Sequence, residues 1–325
     1  MLAYILRRLM YSVPILIGVN LITFSLFFIV NTPDNIARMQ LGVKNVTPAA
    51  IEKWKVNHGY DKPLLYNKTN QGMSAFTDTI FFDKSVRLFV FDFGSSDEGR
   101  DISHDIQQRM WPSLAIAIPS LLVGLLVNIT LAMLLAFFRG TYIDISGVIA
   151  GIFLISISTL FYIIGGQYIM SKLWHLVPIS GYSEGLSGFK FLILPVAIAV
   201  VGGVGSGTRW YRTIFLEEVN KDYVRTARAK GLSEISVLFK HILQNAMIPI
   251  LTGVVVIIPL LFMGSLLTES FFGIPGLGSY TIDAIHAQDF AIVRAMVFLG
   301  SVLYIIGLIL TDISYTLVDP RIRLS

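Results

Sequence analysis

The chain contains no cysteine, which excludes disulfides, thiolate metal ligands and cysteine nucleophiles. Charge is also scarce. Asp, Glu, Lys and Arg make up 14% of its 325 residues, against about 25% in a soluble domain. The shortage is local: long apolar runs carry almost no charge and the charges collect between them, as in a chain that crosses a bilayer. No G-x-x-x-x-G-K-[ST] phosphate loop is present, so no recognisable ATP site belongs to this chain. The five histidines, His58, His104, His175, His241 and His286, form no H-E-x-x-H or other metal-ligand spacing. The net charge of +4 lacks the aromatic interleaving that single-strand nucleic-acid binders use. It is better explained by Lys and Arg marking one side of a membrane, with lipid and not nucleic acid as the partner.

What the chain has in quantity is apolar helix. Roughly 20 apolar residues cross the hydrocarbon core at about 1.5 Å each, and six segments approach that length: 9–30, 114–138, 145–170, 191–208, 247–267 and 290–316. Helix is the expected form because each backbone N–H and C=O in lipid must be satisfied within its own segment. The first segment exceeds the roughly 7–15 residues of a signal-peptide core, and Asn31-Thr32-Pro33-Asp34 offers no small-x-small cleavage site. It therefore reads as a retained span. The expected fold is all-α and polytopic. It divides into 1–30 (tail and first span), 31–111 (an extracytoplasmic cap), and 112–325 (a five-helix core whose 209–246 loop is cytoplasmic).

Orientation rests on the short loops. Arg139, the cluster Arg209, Arg212, Lys221, Arg225, Arg228, Lys230 and Lys240, and the tail Arg321 and Arg323 fall on one side. The 269–289 loop has no Lys or Arg. Both termini are thus expected in the cytoplasm. The basic content of 31–111 is no obstacle, since the bias weakens in loops beyond about 60 residues. Within it, Thr47 followed by Pro48 predicts a helix start near 48–57. In the spans, Gly147 with Gly151 and Gly203 with Gly207 have the small-xxx-small spacing that permits close helix approach.

The most informative stretch runs from Glu217 to Leu232. Asp222 is a candidate N-cap and Gly231 suits a C′ stop, giving a basic helix of about two turns outside the membrane. Tyr223, Ala227 and Lys230 share a face, and Ala229 keeps the profile slim. Ser233 is a candidate cap for a second short helix leading through Leu238, His241, Ile242 and Asn245 to Pro249. Two uses fit the physics equally: a knob that docks in a cleft of another protein, or a basic face resting on anionic headgroups.

Several motifs in order give this sequence a family likeness. Tyr223–Leu232 reads Y-V-R-T-A-R-A-K-G-L and continues to His241-Ile242-Leu243-Gln244-Asn245-Ala246-Met247-Ile248-Pro249. To these add the start Met1–Leu9, Gly59-Tyr60-Asp61-Lys62-Pro63-Leu64, Asp92-Phe93-Gly94-Ser95-Ser96, Glu269-Ser270-Phe271-Phe272-Gly273-Ile274-Pro275-Gly276-Leu277-Gly278 and Asp319-Pro320-Arg321-Ile322-Arg323. Over nearly its whole length the chain resembles the dipeptide/oligopeptide/nickel branch of ABC-importer permeases.

The resemblance implies a type I importer permease in a bacterial inner membrane, paired with a second permease. Two ATPase subunits would hold the ATP and magnesium, and an extracytoplasmic binding protein would deliver peptides or peptide-like solutes. This chain would itself be neither an enzyme nor a cofactor protein. Asp222, Tyr223, Arg225, Thr226, Ala227, Arg228, Ala229, Lys230 and Gly231 would carry ATPase coupling. Glu269, Phe271, Phe272, Pro275, Gly276 and Gly278 would form the outward loop or gate.

Departures from the family are also legible. Arg225-Thr226-Ala227 stands where the broader signature has Glu-Ala-Ala, a change common in the peptide branch. Residues 67–90 exceed the usual spacer. Arg294 falls inside the sixth span, where the family more often is uncharged. It either snorkels outward or pairs with Asp289, or else meets a substrate carboxylate in the pathway. Gly181-Tyr182-Ser183-Glu184-Gly185 matches G-x-S-x-G but lacks the strand–turn–helix context of a nucleophile elbow. A proton- or sodium-coupled carrier would place ionisable groups near the midplane. Only Arg294 and Asp312 fall within the spans, both nearer an end.

Overall fold

The structure, a computed structural model, describes residues 2–42 and 46–318. The tail motif at 319–323 lies outside them. Helices dominate the described residues, and the only bridge between extended segments among them joins Ser95 and Asp101. Five helices are long and apolar enough to cross a membrane: Leu6–Val30, Ile102–Phe137, Phe189–Val219, Glu234–Met263 and Phe290–Ser314. The pair Tyr142–Ser156 and Thr159–Leu173, bent by 88° at its break, makes a sixth when the two helices are taken as one span. The fold is thus the all-α polytopic one expected, with two differences. The third segment is broken, not continuous. The fifth ends at Met263 because Gly264, at φ 70°, turns the chain before Leu266.

The chain forms two compact units. The first combines the residues up to Arg109 with Tyr280–Ile309. Its core is aromatic. Phe24 and Phe28, on the last turns of the first span, pack with Ile36, Tyr60 and Ile80, and the Phe24 and Phe28 ring centroids lie 4.8 Å apart. The helix expected near Pro48 spans Pro48–His58. Its N-cap is Thr47, whose Oγ1 accepts from Ala50 N, and Gly59 closes it in the left-handed region. The 67–90 stretch is structured. Lys62 Nζ bridges Asp78 (3.0 Å) and Asp83 (2.6 Å), and a short helix at Ile80–Lys84 puts Ile80 in the core.

The second unit, Met110–Ser279 with the turns after Ile309, holds the remaining spans. Its tightest helix contact is set by glycine. A Cβ on Gly205 would stand 2.5 Å from Gly151 O and 3.2 Å from Ile155 N, both backbone atoms that cannot swing away. Gly203, half of the pair expected from spacing, meets nothing within 4 Å. The helical phase rotates it off the contact, so the working pair is Gly151 with Gly205. Nearby, Thr208 Oγ1 donates to Asn128 Oδ1 at 3.0 Å. The two buried polar groups satisfy each other.

Overpacking a close helix contact typically costs about 1–3 kcal/mol. Gly205→Leu should therefore lower the thermal unfolding midpoint of the detergent-solubilised protein, and Gly203→Ala should leave it unchanged. Equal midpoints for the two variants would contradict this contact.

Candidate functional site

The basic loop forms a helix at Asp222–Ala229. Its start differs from the expectation. Lys221 is the N-cap, with extended backbone and no side-chain cap bond, and Asp222 occupies the first turn, where its charge favours the positive end of the helix dipole. The end follows the Schellman pattern. Gly231 N–H donates to Arg228 O and Leu232 N–H to Ala227 O, with Gly231 at φ 75°. Ser233 Oγ then accepts from Ser236 N. The second helix does not stand apart: it runs through a π-helical turn at Leu238–Leu243 into the fifth span.

Packing fixes which face of the Asp222–Ala229 helix points inward. Val224 and Ala227 are buried among Ala132, Ala136, Phe215, Val237, Ile242 and Ala246. Tyr223 is half-buried against the same cluster and its hydroxyl donates to Glu218. Burial and that bond raise the Tyr223 pKa. Asp222, Arg225, Thr226, Arg228, Ala229, Lys230 and Gly231 are exposed. Arg228 makes a two-pronged pair with Glu234, at 2.9 and 3.1 Å. Ala227 therefore belongs to the anchored face and not to the presented one.

A further tie was not found from sequence. Arg212 holds Asp144 through Nε and Nη2, both at 2.8 Å, and Asp144 Oδ2 also accepts from Gly140 N at 2.9 Å. This bidentate pair joins the first turn of the third segment to the end of the fourth, the helix that leads into the exposed one. The available signal was a lone acid after the Arg139-Gly140 turn.

The 264–279 segment is built around one carboxylate. Glu269 is 1% exposed. Its Oε1 accepts from Ser265 N (3.0 Å), and Oε2 accepts from Gly278 N (2.7 Å) and Ser279 N (3.1 Å). Ser113 also bonds it and accepts from Leu277 N at 2.8 Å. A Cβ on Gly276 would stand 2.5 Å from both Glu269 Cδ and Ser113 Oγ, so only glycine fits. Phe272, Gly276 and Gly278 are buried with Glu269, whereas Phe271 and Pro275 are exposed. Of the six residues assigned to this loop, four make its frame and two reach its surface. Desolvation raises the Glu269 pKa, against the pull of its hydrogen-bond donors.

Arg294 belongs to the first unit and is 4% exposed, so it does not snorkel. Nor does it pair with Asp289, whose two oxygens instead accept from Asp97 N (3.0 Å) and Ile292 N (3.2 Å). Arg294 Nε donates to Phe290 O and Nη1 to Lys84 O, and the guanidinium lies 4.8 Å from the Phe28 ring centroid. Among the described residues the Ser183 hydroxyl bonds only to Ser187 Oγ and Glu184 O. Among the described residues no cluster of His, Asp and Glu could hold a metal.

Residues 128–324 match the family model described as binding-protein-dependent transport system inner membrane component, and residues 1–98 match its N-terminal companion. The chain belongs to this family of transport-system membrane permeases. It is 30% identical over 329 residues to a Brucella abortus (strain 2308) protein, with 99% of each chain covered. It is 29% identical over 352 residues to the dipeptide transport system permease protein DppB of Escherichia coli (strain K12), again with 99% of each covered. It is 28% identical over 331 residues to the oligopeptide transport system permease protein AppB of Bacillus subtilis (strain 168), covering 99% of this chain and all of the relative. The permease is therefore a multi-pass membrane protein of an ABC-importer system.

The buried Glu269 anchor gives a test. In Glu269→Gln the amide NH₂ must face N–H donors, and unsatisfied buried donors cost about 1–3 kcal/mol. The raised pKa means the folded state holds its proton more firmly than the unfolded chain. Wild-type stability from this group is thus full below the unfolded pKa and lost as pH rises through the folded one. Melting curves should show the variant less stable, with a gap that widens as pH falls. A gap that narrows on acidification would contradict the assignment.

Proposed function

We propose that this permease is one of two that together line the pathway of an ATP-driven importer of peptides or peptide-like solutes. A binding protein delivers the solute at the outer face, and ATP and magnesium sit on two partner ATPases. Both termini and the 209–246 loop are cytoplasmic, and the Asp222–Ala229 helix seats in a groove of one ATPase. Closure of the ATPases on ATP pulls that helix and rocks the spans between inward- and outward-open arrangements. Short peptides rank first as cargo, ahead of nickel chelates, because the relatives include dipeptide and oligopeptide transport system permeases.

The observation that carries this reading is the division of the helix into two faces. Val224 and Ala227 are locked into the second unit's core while Arg225, Thr226, Ala229 and Lys230 are exposed. A helix buried on one face and bound by a Schellman close moves with the core it is packed against, as transmission of force requires. Resting on headgroups would need no such anchoring. An ion-coupled carrier is the second reading, and the spans offer it few ionisable groups.

The exposed face can be altered without touching the anchor. In vesicles holding the complete complex, Ala229→Glu should cut ATP-driven uptake at least tenfold, the effect of about 1.4 kcal/mol lost in docking. The melting temperature should stay at the wild-type value. Ala227→Arg should instead lower it, since a charge would be forced into the core. Full uptake in Ala229→Glu, or uptake that follows an ion gradient without ATP, would refute the proposal.

A further inference from the structure

The first unit contains a polar cavity of about 520 Å³, open to the surface, that plays no part in the coupling scheme. Water takes about 30 Å³ per molecule in the liquid, so the space exceeds a few bridging waters and falls in the range of small-ligand sites. Its walls carry charge of both signs. Lys62 and Arg87 are matched by nearby acids: Lys62 by Asp78 and Asp83, Arg87 by Asp83 and Asp92.

Three further charges make no direct ion pair among the described residues. Lys84 makes no ion pair among the described residues; its Nζ lies 5.1 Å from the Tyr60 ring centroid, and burial and the nearby Arg294 charge lower its pKa. Arg294 spends Nε and Nη1 on backbone carbonyls and also meets no carboxylate. Asp97 accepts one long bond from Tyr60 on Oδ1, at 3.5 Å, while its buried Oδ2 has no partner. Burial and the carboxylate of Asp289 push Asp97 up to about 6. Asp289 cannot relieve the cations, because its oxygens already cap Asp97 N and Ile292 N.

Two cations and one carboxylate therefore line a single open cavity and form no ion pair with one another. Unpaired buried charge is costly, and it is relieved when a ligand brings the opposite charges to it. An anion alone would leave Asp97 bare, and a cation alone would leave Arg294 and Lys84 bare. We propose that this cavity binds a small α-zwitterion, a free amino acid or very short peptide, with its carboxylate on Arg294 and Lys84 and its ammonium on Asp97. The site lies apart from the ATPase-facing helix and does not depend on the coupling proposal. The 67–90 stretch gains a role here, since it supplies Lys84 and the carbonyl that orients Arg294.

The test is calorimetric titration of the full-length chain in lipid nanodiscs, without binding protein, using dialanine as the probe. N-acetyl-dialanine removes the ammonium and dialanine amide removes the carboxylate. Wild type should bind dialanine saturably and both blocked forms at least tenfold more weakly. Lys84→Met and Asp97→Asn should each weaken dialanine at least tenfold. Asp97→Asn should no longer distinguish dialanine from its acetylated form yet should still bind both more tightly than dialanine amide, a pattern that loss of structure would not produce. Melting temperatures of the variants confirm folding, and Arg294→Lys, which keeps the charge, should retain part of the affinity. Absence of saturable dialanine binding to the folded wild type, equal affinity for all three probes, or unaltered binding in both variants would overturn the proposal.

Discussion

The functional reading depends on the burial of two small side chains. Val224 and Ala227 enter a core made by helices on either side of the basic loop. Removing them from water converts a charged, otherwise separate two-turn helix into part of a packed body. A helix this short is marginal alone, since nucleation fixes several residues for each hydrogen bond gained. Here tertiary burial supplies the stability, the Schellman close satisfies the terminal carbonyls, and the Asp144–Arg212 pair fastens the helix that leads into it. The exposed face can then be almost wholly polar without loosening the whole.

The same economy governs the 264–279 segment. Ser265 follows the turn at Gly264, and Gly278 and Ser279 open the helix that begins at Leu277; one buried carboxylate collects the N–H groups of all three. This requirement explains the glycines around it better than flexibility does: at Gly276 any side chain would occupy the place of Glu269 and Ser113. The glutamate is an anchor for this backbone. It is the post around which the loop is folded, leaving Phe271 and Pro275 to whatever meets the surface. In the first unit the logic is inverted. Asp97, Lys84 and Arg294 lack such local satisfaction, and that difference separates a frame from a cavity able to take a ligand.

Much of this was legible in the residue order. Apolar runs located the spans because hydrocarbon leaves the backbone no choice but helix. Thr47-Pro48, Ser233 and Gly231 marked helix ends because capping depends on residues only a few positions apart. Motif order marked the family before any geometry was in hand. Errors arose where a local signal was asked a non-local question. Gly203 and Gly207 had the right spacing, but spacing cannot say which glycine faces a neighbouring helix: Gly207 packs against Asn128, Gly203 meets nothing, and a further contact falls at Gly205. Asp222 had the right residue type for a cap and stands one position too late.

The sequence by itself determined the class of the protein: a many-span membrane helix bundle of the transport-permease family with a short basic helix between spans. These properties are written in composition, periodicity and neighbouring residues. Only the tertiary structure decided which way Ala227 faces, that Glu269 is a buried anchor, that Asp144 finds Arg212, and that Arg294 is enclosed beside Lys84. Each of these joins residues from different elements, from Glu269 and Ser113 to Arg294 and Lys84, 210 positions apart. A charge in a sequence does not carry its own surroundings, and its solvation and partners exist only once the chain has folded around it.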